Sequence, residues 1–298
     1  MIFLACAIAL SAPSPLTSVL IASSGKVAAG FSRDHKLRVW TLPDDRLLST
    51  VDVAGRVGAA SALSNDGRTF VLADYNNDLT IWDTATGAVA MQEHLEHYPL
   101  SVAFARDDRL LALGFGTSLR VIDLGSHKTV LTANDSQAGV MAIAFSRDGS
   151  RVATAEGNAS VRVRDAKSGS VIAENRDFLL EPLAIDFSAD GKQVIAGGGD
   201  SVLVFIDATT GKTLRRSAKL PNAVFDVRAS QDGRELAVLT LDANDLPAPS
   251  PILVLDTASL EEKMRTSSDE MLGGAWTVDG HLVGAKRVGS GVQLVTLR

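Results

Sequence analysis

The sequence predicts an all-β fold, a seven-bladed β-propeller with four-stranded antiparallel blades, and three observations predict it. A turn ending in Gly, usually preceded by Asp, recurs between apolar runs. Its glycine slot falls at Gly25, Gly67, Asp108, Gly149, Gly191, Gly233 and Gly280, in steps of 42, 41, 41, 42, 42 and 47 residues. A period of about 40–45 residues built from short strands marks propeller blades. Each repeat also reads as four short strands, and no segment holds a helical apolar period long enough to compete. Finally, the 298 residues divide into seven such repeats, so residues 1–298 are expected to form one domain. A single blade cannot bury both its faces, so blades must stack on one another.

The fourth repeat shows the elements in order. Strand a is MAIAFS (Met141–Ser146), followed by the turn RDG. Strand b is RVATA (Arg151–Ala155), and a loop leads to strand c, SVRVRD (Ser160–Asp165). The turn AKSG then leads to strand d, SVIAEN (Ser170–Asn175). Asp–Gly and Ser–Gly pairs permit the positive φ that tight hairpins need. Four residues before the glycine slot sit Ile21, Leu63, Phe104, Phe145, Phe187, Ala229 and Trp276, which are mostly large. Four residues after it sit Ala29, Val71, Ala112, Ala153, Ile195, Ala237 and Gly284, which are mostly small. The two sets are expected to pack large against small between neighbouring blades.

The last repeat stops after its strand c. The spacing of strand d to the next glycine slot, applied to Gly25, points to Leu4. Residues Leu4–Leu10 are therefore expected to supply the outer strand of blade seven. A second reading competes: MIFLACAIALSAPSP is an apolar run with Ala9–Ala12 as a small-residue cleavage site, and residues 1–12 would then be a signal peptide. No Lys or Arg precedes the run, so the closure strand, which goes with a cytoplasmic protein, is preferred to the secreted or periplasmic reading. Cys6, the only cysteine, excludes an intrachain disulfide and a Cys-rich metal cluster.

At the end of strand c the repeats read VWT (Val39–Thr41), IWD (Ile81–Asp83), VID (Val121–Asp123), VRD (Val163–Asp165), FID (Phe205–Asp207), VLD (Val254–Asp256) and LVT (Leu294–Thr296). With the S-x-D-G turn upstream, the chain resembles the WD-repeat family over essentially its whole length. Blade two, LTIWDTATG (Leu79–Gly87), reads as the best match. Phrases such as IDATTGKTL (Ile206–Leu214) also look like the surface-layer and quinoprotein propellers. The chain departs from the WD pattern in several places. The Gly–His dipeptide before strand a is absent, and Trp fills its slot only at Trp40 and Trp82. The Asp six residues earlier appears at Asp34 and Asp200, with Asn76 and Asn158 as substitutes. The resemblance implies a divergent propeller in which the family's buried His–Ser–Asp–Trp network is incomplete. Arg164 stands in one Trp slot and is expected to pair with Asp186 or Glu156.

Net charge is −6, so no basic excess supports general nucleic-acid binding. No apolar run is long enough for a transmembrane helix. His94 and His97, with Glu93 and Glu96, form the densest titratable cluster, without the H-E-x-x-H spacing. They are read as a solvated loop and no metal site is assigned. Gly197–Gly199 leads into a strand and not a helix, so it is read as the b–c turn of blade five and not as a phosphate loop. No G-x-S-x-G and no Ser/His/Asp triad can be singled out. Strand a lines the channel of a propeller, and its polar positions, Asp186, Asp226 and Arg228, are sparse. No catalytic residue or cofactor is therefore assigned.

The expected function is a non-catalytic platform, likewise monomeric, for a protein or peptide partner. The alternative is a lactonase-like or quinoprotein-like enzyme. The partner is expected on the face shared by the d–a and b–c loops, where the repeat is most irregular. Phe178, Leu179 and Leu180 lie together in the loop NRDFLLEP (Asn175–Pro182) as apolar anchors. The loop Leu241–Pro251, with Asp245, Leu246 and Pro247, is expected to be a proline-stiffened wall. Truncating Phe178 is expected to weaken binding more than folding.

Overall fold

A computed structural model gives the fold, and it describes residues 8–10, 16–53, 58–241, 251–266, 271–277, 279–288 and 291–297. Every regular element among them is a strand. The strands form seven four-stranded antiparallel sheets, the blades of a seven-bladed β-propeller.

Blades one and two follow the a–b–c–d order. Blade one is Leu16–Ile21, Val27–Ser32, Lys36–Thr41 and Leu47–Asp52. Blade two is Gly58–Leu63, Thr69–Asp74, Asp78–Asp83 and Val89–His94. Blade seven takes strands a to c from Met271–Trp276, Leu282–Val288 and Gly291–Thr296. Its fourth strand is Ile8–Leu10, antiparallel to strand c with Ile8 opposite Leu294. The outer strand expected from the N-terminal run is therefore present over these three residues, and Leu4–Ala7 lie outside the described residues. Blades seven, one and two belong to one compact unit.

A second compact unit holds blades three to six. Blade three is Ser101–Phe104, Leu110–Gly114, Leu119–Asp123 and Lys128–Ala133. Blade four is Val140–Phe145, Arg151–Glu156, Ser160–Asp165 and Val171–Asn175. Blade five is Pro182–Phe187, Gln193–Gly198, Leu203–Asp207 and Thr213–Arg216. Blade six is Ala223–Ala229, Glu235–Leu241, Ile252–Asp256 and Glu262–Arg265. Within this unit neighbouring blades touch chiefly through their strands a, which form its inner edge.

The repeated turn has a backbone cause. In Ser146–Gly149 the Gly149 N–H donates to the Ser146 carbonyl at 2.9 Å, and Gly149 has φ near +69°. Glycine enters this region without steric cost, and Asp is among the few side chains that tolerate it. Blade three accordingly keeps the turn with Asp108 at φ +57°.

The large-against-small expectation holds in both units. Phe187 of blade five shares a core with Ala153 of blade four, and Phe145 of blade four with Ala112 of blade three. In the other unit Leu63 of blade two packs against the cluster containing Ala29 of blade one. Blades are also stitched at their outer strands. Ser49 Oγ donates to the Thr84 carbonyl at 2.7 Å, Asn175 Nδ2 to the Gly211 carbonyl at 2.8 Å, and Arg215 Nη1 to the Ala258 carbonyl at 2.6 Å. In each case strand d of one blade holds the c–d turn of the next.

Candidate interaction face of blades three to six

The loop between strand d of blade four and strand a of blade five is pinned at both ends. At its start, Asp177 accepts from Thr213 Oγ1 at 2.7 Å, and the Asp177 carbonyl accepts from Arg216. At its end, the Glu181 carbonyl lies so close to Gly198 that a Cβ there would meet it at 2.0 Å. Only glycine permits this approach of the loop to the end of strand b, where Gly198 lies. Between the pins the three apolar side chains part. Phe178 is 7% exposed and joins the core shared by blades four and five. Leu179 is 85% exposed and Leu180 54%. Phe178 is thus a core residue and not part of the exposed patch. Its direction corrects the expectation that truncating it would spare folding. Asp245, Leu246 and Pro247 lie outside the described residues.

A second apolar feature borders the same loops and was missed from sequence. Strand a carries a register shift at its d–a end in blades four, five and six, leaving Met141, Leu183 and Phe225 out of the ladder. Such bulges re-aim side chains. Here they set a large apolar residue at equivalent places on three neighbouring inner strands. Phe225 is 40% exposed, and Met141 and Leu183 are half-buried. All three stand eight residues before a glycine slot, which is the signal that could have found them.

A charged network lies beside the patch. Arg162 is buried and bonds both Glu156 oxygens, at 3.2 and 3.0 Å, and Glu174 at 3.2 Å. Ser136 Oγ donates to Glu156 at 2.9 Å, and Glu174 reaches Arg176 at 2.7 Å. Arg164 does not pair with Asp186 or Glu156, the partners expected from sequence. It takes Asp135, with Nη2 and Nη1 at 2.8 and 3.0 Å from the two oxygens. Asp135 sits on the loop between blades three and four, and Arg162 engages Glu156 first. Burial pushes the Asp135 carboxyl up, the Arg164 bond and charge pull it down, and the net shift is downward. Arg164 therefore fills its Trp slot as one arm of an ion pair.

Deeper along the inner edge, Asp186 accepts from the backbone N–H groups of Phe187 and Ala229 at 2.8 and 2.9 Å. Burial pushes its carboxyl up, against the pull of Arg228. Arg228 pairs with Asp226 at 3.0 Å, and that carboxylate holds its guanidinium more firmly protonated. Arg228 and Asp226 thus bond each other, and Asp186 is held by the backbone. Among the described residues no set of three or more His, Cys, Asp and Glu side chains stands together as metal ligands. The His94–His97 stretch is not one loop: His94 lies in strand d of blade two, with Nδ1 at 2.9 Å from Asp78. No helix among the described residues is long and apolar enough to cross a membrane.

Residues 125–165 match the family described as WD domain, G-beta repeat. The match runs from the c–d turn of blade three to the end of strand c of blade four. The chain is a WD-repeat-like propeller. The matched stretch includes strand c of blade four, whose Trp slot holds Arg164. In this stretch the WD-like register therefore rests on turns and strand spacing and not on a tryptophan. No curated protein matches the chain.

Proposed function

We infer that this WD-repeat-like propeller is a non-catalytic platform that binds a protein partner through the d–a and b–c loops of blades four to six. WD-repeat propellers usually bind protein partners. The observation that carries the reading is the exposure of Leu179 and Leu180 on a loop fixed at both ends. Exposed apolar groups on a pinned loop favour association, because little ordering entropy remains to be lost on binding. Met141, Leu183 and Phe225 extend the apolar surface, and Arg176 and Glu181 supply a polar rim.

A photo-crosslinking residue at position 179 in the full chain tests this, with the captured protein identified and purified. Leu179→Ser and Leu180→Ser should each weaken its affinity by about 1–3 kcal/mol, as interface anchors do, and leave the melting temperature nearly unchanged. Phe178→Ala should instead cost about 3–5 kcal/mol of stability, as loss of a buried Phe does. Unchanged affinity in the double leucine variant would remove the site from this face.

A further inference from the structure

At the opposite end of the second unit, the a–b turns of blades three, four and six meet across the inside of the unit. Arg106 Nη2, in the turn of blade three, donates to the side-chain oxygen of Gln231 in the turn of blade six. Arg147, in the turn of blade four, donates from Nη1 to the Gln231 carbonyl and from Nη2 to the Ser230 carbonyl at 2.7 Å. Two guanidinium groups thus end on one residue, contributed from 125 and 84 positions away.

Every acceptor in this junction is neutral. Neither arginine has a carboxylate within ion-pair distance among the described residues. A guanidinium carries five N–H donors, and here one of Arg106 and two of Arg147 are used. The acidic groups that act on Arg147 are Asp186 and Asp232. Asp186 is committed to the Phe187 and Ala229 N–H groups, and Asp232 accepts from Ser230 Oγ and the Arg234 N–H. Burial and the nearby Arg106 charge both make Arg147 easier to deprotonate than a free arginine. A pair of like charges with spare donors and no carboxylate in direct contact is stabilised by an incoming anion. Arg106 is exposed, so the junction is open to a chain from outside.

We propose that Arg106 and Arg147, held by Ser230 and Gln231, form a second interaction site that takes the carboxylate side chains of an acidic segment of a protein partner. The planar fork of arginine matches a carboxylate in two-point contact. The site is independent of the leucine face, which lies at the other end of the same blades.

The probe is a fluorescent hexaglutamate peptide, followed by anisotropy at low salt with the full chain. The chain is itself acidic, so non-specific attraction is weak. Saturable binding is expected, weakened about tenfold or more by Arg106→Gln or Arg147→Gln and abolished in the double variant. Arg147→Lys keeps the charge without the fork and should fall between. Leu179→Ser with Leu180→Ser should leave hexaglutamate binding untouched, so failure here is distinct from failure of the leucine face. Arg106 makes a single bond at the surface, so Arg106→Gln keeps the test valid if Arg147 variants unfold. Equal binding by the double variant would overturn the site. Saturation by inorganic phosphate that hexaglutamate cannot displace would overturn the peptide as its ligand.

Discussion

The aspartates of the repeated turns work one side chain at a time. Asp148 accepts from Ser146 Oγ and then from the Ser150 N–H, and these bonds hold its carboxyl at about 2. Ser188 Oγ likewise lowers the carboxyl of Asp190, while the Ser168 and Thr210 N–H groups lower Asp165 and Asp207 at the c–d turns. A carboxyl depressed in the folded state adds stability that is complete above its ordinary value near 4 and is lost as pH falls through the folded value. Asp186 runs the other way: raised by burial, it favours the fold below its ordinary value and loses that contribution as pH rises through the raised one. The turn aspartates outnumber it. Thermal denaturation should therefore show a melting temperature that falls from about pH 5 to pH 2. Asp148→Asn with Asp190→Asn should lower it at pH 6 and flatten the slope below pH 4. An unchanged slope would clear these turns of any part in acid unfolding.

Among the elements, the pin of the candidate face is the contact between the end of strand b of blade five and the loop before its strand a. Gly198→Ala would drive a Cβ into the Glu181 carbonyl, so loop and strand end must separate. Limited proteolysis should then cut within residues 176–181, and the melting temperature should fall. Protection equal to the unsubstituted chain would show that the loop is not held there. Such contacts explain what the sequence could tell. Blade number and turn positions were legible because a left-handed turn residue leaves the same mark in every repeat. The side to which Phe178 points was not, because a loop has no period to set direction. Asp135 as partner of Arg164 was hidden because it comes from the loop before the blade rather than from the blade itself. The junction of Arg106, Arg147 and Gln231 was within reach, since all three stand two residues before a glycine slot. Only the fold shows that this variable position faces inward in three blades.

At the scale of the molecule, blade seven is the one blade made from distant parts of the sequence. Its outer strand is joined by three residue pairs, Ile8 to Leu294, Ala9 to Gln293 and Leu10 to Val292, where the outer strand of blade one is joined by five. Hydrogen exchange should find the Val292–Leu294 amides opening ahead of the equivalent strand of blade four. Removing residues 1–12 should lower stability by a few kcal/mol, through the lost ladder bonds of Ile8–Leu10. Equal protection in both blades would mean that the short strand is no weaker than a full one. A short covering strand has a further consequence. When it lifts, the edge of Gly291–Thr296 will accept any strand of suitable pattern, including Ile8–Leu10 of a second copy. Concentrated protein should thus form reciprocal strand-exchanged dimers, in which each molecule lends its end to the other and no new interface is needed.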